Sequence, residues 1–104
     1  MTTITPIRKD KNIIGFKLDG HASFKSYGYD IVCAAISCLS INTINSLEEI
    51  AHKEVDVYQG DGYIEYRLHC NPSVQSNILL ESARLGYMSI AEEYSINVKY
   101  VIGE

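Results

Sequence analysis

Apolar and polar residues alternate with a period of two at three places in the chain. Ile14, Phe16 and Leu18 interleave with Gly15, Lys17 and Asp19, which is the pattern of a strand with one face on a core. The β-prone run Thr2 to Arg8 precedes it across the polar turn Lys9-Asp10-Lys11-Asn12, so the two read as a β-hairpin. Pro6 cannot donate a ladder hydrogen bond, which places the first strand at an edge or breaks it there. A second hairpin joins Val55–Tyr58 to Tyr63–Leu68 across Gly60-Asp61-Gly62, whose glycines permit positive φ. Ile96, Val98, Tyr100 and Ile102 alternate with Asn97, Lys99 and Val101 in a last strand.

Two segments carry the helical period instead. Asp30 serves as N-cap for a stripe at Val32, Ile36, Leu39, Thr43, Leu47 and Ile50, an amphipathic helix of about five turns. Asn71-Pro72-Ser73 opens a second helix that runs to about Tyr94, apolar on a broad front through Ile78, Leu79, Leu80, Leu85, Met88 and Ala91. So broad a front calls for cover by a sheet or a partner. The order is ββαββαβ, which predicts an α+β fold: a two-layer sandwich of a mixed sheet and two helices. Residues 22–28 form a polar and aromatic loop between the second strand and the first helix, expected to move as a lid about Gly28.

Length and charge narrow the function. A chain of 104 residues has the size of one domain, 1–104, and its 46% hydrophobic residues can fill one core without metal or disulfide help. The formal charge of −4, with nine Lys and Arg scattered, lacks the basic footprint of direct nucleic-acid binding. The apolar stretches read as short and interrupted by charge, without a signal peptide or membrane span, so a cytoplasmic location is expected. Three cysteines without Cys-x-x-Cys spacing read as reduced thiols. No metal site and no cofactor are expected.

Cys33 is the candidate nucleophile. With Asp30 as cap it is the third helical residue, where the helix dipole favours a thiolate, and Ser37 lies one turn later on the same face. Cys33 is therefore expected to react before Cys38, which is assigned to the helix core, and before Cys70. His21 ends the second strand, and the loop can return it to the helix start as acid and base. Spacing alone leaves the plainer reading open: a small buried thiol and a satisfied surface histidine. His69 and Cys70 are expected on opposite faces of a strand, His52 beside the end of the first helix, and the pairs Glu48-Glu49 and Glu92-Glu93 on solvated faces.

Gly20-His21-Ala22, followed by Tyr27-Gly28-Tyr29-Asp30-Ile31-Val32-Cys33-Ala34-Ala35-Ile36-Ser37, resembles the signature of the ribosomal-processing cysteine protease family, Prp. Gly62-Tyr63-Ile64 and Leu79-Leu80-Glu81-Ser82 extend the resemblance along the chain. The resemblance implies a homodimeric bacterial endopeptidase that removes an N-terminal extension from a large-subunit ribosomal protein. Its histidine and cysteine fall on His21 and Cys33, and Gly20, Asp30 and Ser37 match further motif positions. Ser23, where many relatives carry glycine, and Pro6 depart from the pattern. Asp30 is assigned to capping the helix or to orienting His21. Two other readings remain: a non-catalytic ribosome-assembly adaptor holding the same peptide, and a redox-sensing thiol that lacks a resolving cysteine.

Overall fold

The computed structural model describes residues 1–20 and 29–102, with the side chains of Tyr29 and Asp30 excepted. Its elements are β1 (Thr2–Lys9), β2 (Asn12–Asp19), α1 (Tyr29–Glu49), β3 (Val55–Gly60), β4 (Tyr63–Leu68), α2 (Val74–Glu93) and β5 (Val98–Tyr100). The α+β order is as expected. The strands form one mixed sheet in the order β3-β4-β2-β1-β5, antiparallel except for β1 with β5. The expected lid lies within residues 21–28, outside the described residues.

Register decides which side chains meet the helices. Phe16 stands opposite Tyr66 and Leu18 opposite Ile64, and Ile4, Phe16, Leu18, Tyr66 and Val98 are buried. The register shifts between Ile7 and Arg8, and such a bulge lets the strict alternation lapse. Ile13 and Ile14 are accordingly both buried. The even-numbered residues of β1 turn their backbone toward β5: Thr2 N donates to Asn97 O, and Ile4 O accepts from Val101 N. Pro6 is next in that series, beyond the three-residue β5. β1 is thus internal at its start and an edge at Pro6, where a missing N–H breaks no ladder bond.

α2 packs over β2 and β5, and α1 lies alongside it. Ser73 caps α2: its Oγ accepts from Ser76 N at 3.1 Å while Ser76 Oγ accepts from Ser73 N at 2.8 Å. The buried positions of α2 are Ser76, Leu80, Ala83 and Tyr87. Much of its apolar front faces outward instead, with Ile78 63% and Leu85 58% exposed. The expected stripe of α1 is buried at Val32, Ile36, Thr43 and Leu47, whereas Ile50, beyond the helix, is exposed.

Ser40 was outside the expected stripe yet is buried. Its Oγ and Tyr87 Oη are 2.7 Å apart, and Tyr87 Oη and Tyr66 Oη are 2.8 Å apart. A chain of three hydroxyls therefore ties α1 through α2 to the centre of the sheet. Buried hydroxyls require partners, and burial raises the Tyr66 and Tyr87 pKa values. The segment Ile31–Leu47 contains no charged residue, contrary to the reading of short, charge-broken apolar stretches. Ile31–Glu49 is long and apolar enough to cross a membrane by composition. In this fold, Val32, Ile36 and Leu47 of that segment belong to the core beneath the sheet.

Candidate active site

The end of β2, the β3–β4 turn and the first part of α1 converge on a cleft lined by Gly20, Leu18, Gly62, Tyr63, Ile64, Cys33, Ile36 and Ser37, with Thr2 at its edge. Gly20 and Gly62 bring the first two together, because Gly20 N donates to Gly62 O at 2.9 Å. Gly20 has φ +128°, and a Cβ there would run into the Met1 carbonyl. Gly62 takes φ +68° in a tight turn. Glycine is thus required by backbone geometry at Gly20, and favoured at Gly62.

Cys33 and Ser37 are one helical turn apart and line the same cleft, as their spacing predicts. Cys33 is half-buried and Ser37 exposed. The start of α1 differs from expectation. The helix begins at Tyr29, so Asp30 is its second residue rather than its cap, and Cys33 is the fifth helical residue rather than the third. The unpaired amides of a first turn then belong to Tyr29, Asp30 and Ile31, and dipole stabilisation at Cys33 is correspondingly weaker. His21 and the side chain of Asp30 lie outside the described residues.

Tyr63 carries a polar string from the cleft onto the outer face of the sheet. Its hydroxyl donates to Glu65 Oε1, and Arg67 Nη2 donates to Glu65 Oε2 at 3.2 Å. Lys17 Nζ lies 5.8 Å from the Tyr63 ring centroid. The Tyr63 hydrogen bond lowers the Glu65 pKa, and its engagement with that carboxylate raises the Tyr63 pKa. Tyr63 is a cleft residue that periodicity does not single out. Its signal is topological: Asp19 pairs with Tyr63, which sets the hairpin tip beside the end of β2.

The remaining thiols and histidines are placed differently from expectation. Cys38 is exposed, not packed in the helix core, and Cys70 is exposed as well. Accessibility therefore does not favour Cys33 over them. β4 ends at Leu68, so His69 and Cys70 lie past the strand and line one cleft with Asp56 instead of pointing to opposite faces. His69 Nδ1 is 3.0 Å from Asp56 Oδ2, and that contact raises the histidine pKa. Glu54, Asp56 and His69 each offer a donor atom, all within 4.8 Å of one another. Glu54 immediately precedes β3 and Asp56 lies on it, two residues on, and His69 N donates to Glu54 O. His52 adopts φ +55° just beyond α1.

Comparison with known proteins identifies the family. Residues 1–99 match the family described as cysteine protease Prp. The ribosomal processing cysteine protease Prp of Bacillus subtilis (strain 168) is 27% identical over 96 residues, which cover 86% of each chain. The crystal structure of SMU.848 from Streptococcus mutans superposes with a TM-score of 0.88 at 32% identity, covering 100% of this chain and 99% of that one. The Prp protease from S. aureus, in complex with a covalently linked product peptide, has a TM-score of 0.84 at 23% identity with both chains fully covered. With nearly its whole length matched, the chain belongs to the cysteine protease Prp family and is a cysteine peptidase.

Proposed function

We propose that this chain is a cytoplasmic endopeptidase that removes the N-terminal extension of a large-subunit ribosomal protein during ribosome assembly, with Cys33 as nucleophile and His21 as general base. The observation that carries the reading is the position of Cys33 beside Ser37 and Gly20 in one open cleft, in a chain of a cysteine protease family. His21 directly follows Gly20 in the sequence, and Gly20 lines the cleft. The relatives' description as ribosomal processing proteases supports the substrate class.

In this mechanism His21 takes the Cys33 thiol proton and the thiolate attacks the scissile carbonyl carbon. Collapse of the tetrahedral species breaks the C–N bond, and the imidazolium protonates the leaving amine. Water, deprotonated by His21, then hydrolyses the thioester and restores the thiol. Amides at the start of α1 are the proposed oxyanion donors. Asp30, in the first helical turn, is proposed to support that turn or orient His21, and Ser37 to contact the peptide. No cofactor enters this scheme.

A homodimer is proposed as the working form, a single cysteine-protease-like domain in each protomer. The outward apolar residues Ile78 and Leu85 of α2 support it, and light scattering that returns a monomer mass at micromolar concentration refutes it. The catalytic reading is tested by incubating the purified chain with the N-terminal region of the host ribosomal protein and identifying products by mass spectrometry. One cleavage site is expected, lost in Cys33→Ala and nearly lost in His21→Ala. If both act as one unit, the double variant is scarcely worse than either single one. Undiminished cleavage at the same bond by Cys33→Ala refutes the assignment.

A further inference from the structure

A second cleft lies away from Cys33, where α2 meets the β1–β5 end of the sheet, lined by Arg8, Glu81, Arg84, Met88, Tyr100 and Ile102. Arg8 Nε and Tyr100 Oη are buried there without a hydrogen-bond partner. Leaving a buried donor unpaired is costly, more so on a charged group, and a native structure seldom keeps two in one place without a ligand to meet them.

The orientation of the two guanidinium groups agrees with that requirement. Arg8 directs Nη1 toward Lys11 O at 3.5 Å, which leaves the edge formed by Nε and Nη2. That edge offers the parallel N–H pair that matches two oxygens of one carboxylate or phosphate. Arg84 is held by Glu81 Oε1 at 2.7 Å through its Nε, and its Nη1 lies 3.3 Å from Met88 Sδ, so Nη2 remains. The Arg84–Glu81 pair is close to neutral, and the charge of Arg8 is left in excess over the cleft. All three donor side chains line this one cleft; burial raises the Tyr100 pKa, the two guanidinium groups lower it and the Glu81 carboxylate raises it.

We infer that the cleft between Arg8, Arg84 and Tyr100 is a binding site for an oxyanion, a carboxylate or a phosphate group, separate from the peptidase cleft. Arg8 supplies a two-pronged contact and the net charge, Tyr100 a neutral donor and Arg84 its remaining Nη2 donor. The parallel N–H pair of Arg8 is what favours a group with two oxygens over chloride. The inference does not depend on the proteolytic reading, and its test reads binding rather than turnover.

The full chain, labelled with nitrogen-15, is titrated with sodium phosphate, with sodium acetate and with sodium chloride at matched ionic strength, following the Arg8 and Arg84 Nε–Hε resonances. Saturable shifts with phosphate or acetate, absent with chloride, are expected. Tyr100→Phe keeps the ring and removes one donor to a charged ligand, so affinity should fall about tenfold. Arg84→Gln, at a partly exposed site on α2, should weaken binding at least as much. The oxyanion that saturates the shift at the lower concentration identifies the source, acetate for a protein carboxylate and phosphate for a phosphorylated ligand. Drift that never saturates, an identical response to chloride, or equal affinity in both variants and the parent overturns the inference.

Discussion

Replacing Gly20 by alanine should damage both stability and catalysis, and the size of each effect follows from the backbone. At φ +128° a residue with a Cβ is held in a region that only glycine adopts readily. That costs about 1–3 kcal/mol. The added Cβ would also run into the Met1 carbonyl and lie 3.2 Å from Thr2 Cα. Thr2 N is bonded to Asn97 O, so the carbonyl cannot withdraw without loosening the start of β1 from β5. Relief by the other route moves Gly20, which lines the cleft with Cys33, away from Gly62 O. A displacement of about 1 Å between reacting groups can cost roughly 10²-fold in rate. Denaturant unfolding and kcat/KM on the substrate peptide measure the two losses. Gly60→Ala is the control, because its Cβ meets nothing within 4 Å and its φ is not positive; it should stay within about 0.5 kcal/mol of the parent. If Gly20→Ala matches Gly60→Ala in stability and activity, the assigned backbone role is wrong.

Tyr87→Phe removes the middle of the Ser40–Tyr87–Tyr66 hydroxyl chain and should cost about 2–4 kcal/mol in urea unfolding, from two lost hydrogen bonds and partners left buried; a loss below about 0.5 kcal/mol refutes it. The Asp56 contact raises the His69 pKa above 6.5, so this pair contributes stability fully below the unfolded pKa and loses it as pH rises through the folded value. Asp56→Asn should bring the histidine's titration, followed by proton NMR, back down toward 6.5, and an unmoved midpoint would show that the carboxylate is not the cause.

The strands were legible because one face of each meets a core and the other meets solvent, so the alternation at Ile14, Phe16 and Leu18 is written locally. The bulge at Ile7 and Arg8 was not, since it depends on how β1 is paired. Hydrophobicity found most of the buried stripe of α1 but missed Ser40, and misjudged much of α2, for one reason. α1 buries Ser40 and α2 buries Ser76, Ala83 and Tyr87, positions where size and hydrogen bonding decide. Ile78 and Leu85, more apolar than these, face outward. Composition counted greasiness, whereas close packing selects fit and satisfied polar atoms. The capping rule put the start of α1 at Asp30, but helix starts inferred from a capping residue carry an error of a residue or two, and here that error moved Cys33 beyond the first turn.

The same distinction separates the parts of the active site. Cys33 and Ser37 share a face because helical geometry relates residues four apart, so their neighbourhood was visible in the sequence. Gly20 and Gly62 meet only because β2 pairs with β4 in the register Asp19 with Tyr63. That contact spans most of the chain's middle third and cannot be inferred from either segment alone. The hairpin tip therefore acts on the cleft from a distance in sequence, by fixing where the end of β2 lies. A candidate nucleophile can be recognised from its local motif, but the contact that closes the cleft around it is a property of the sheet.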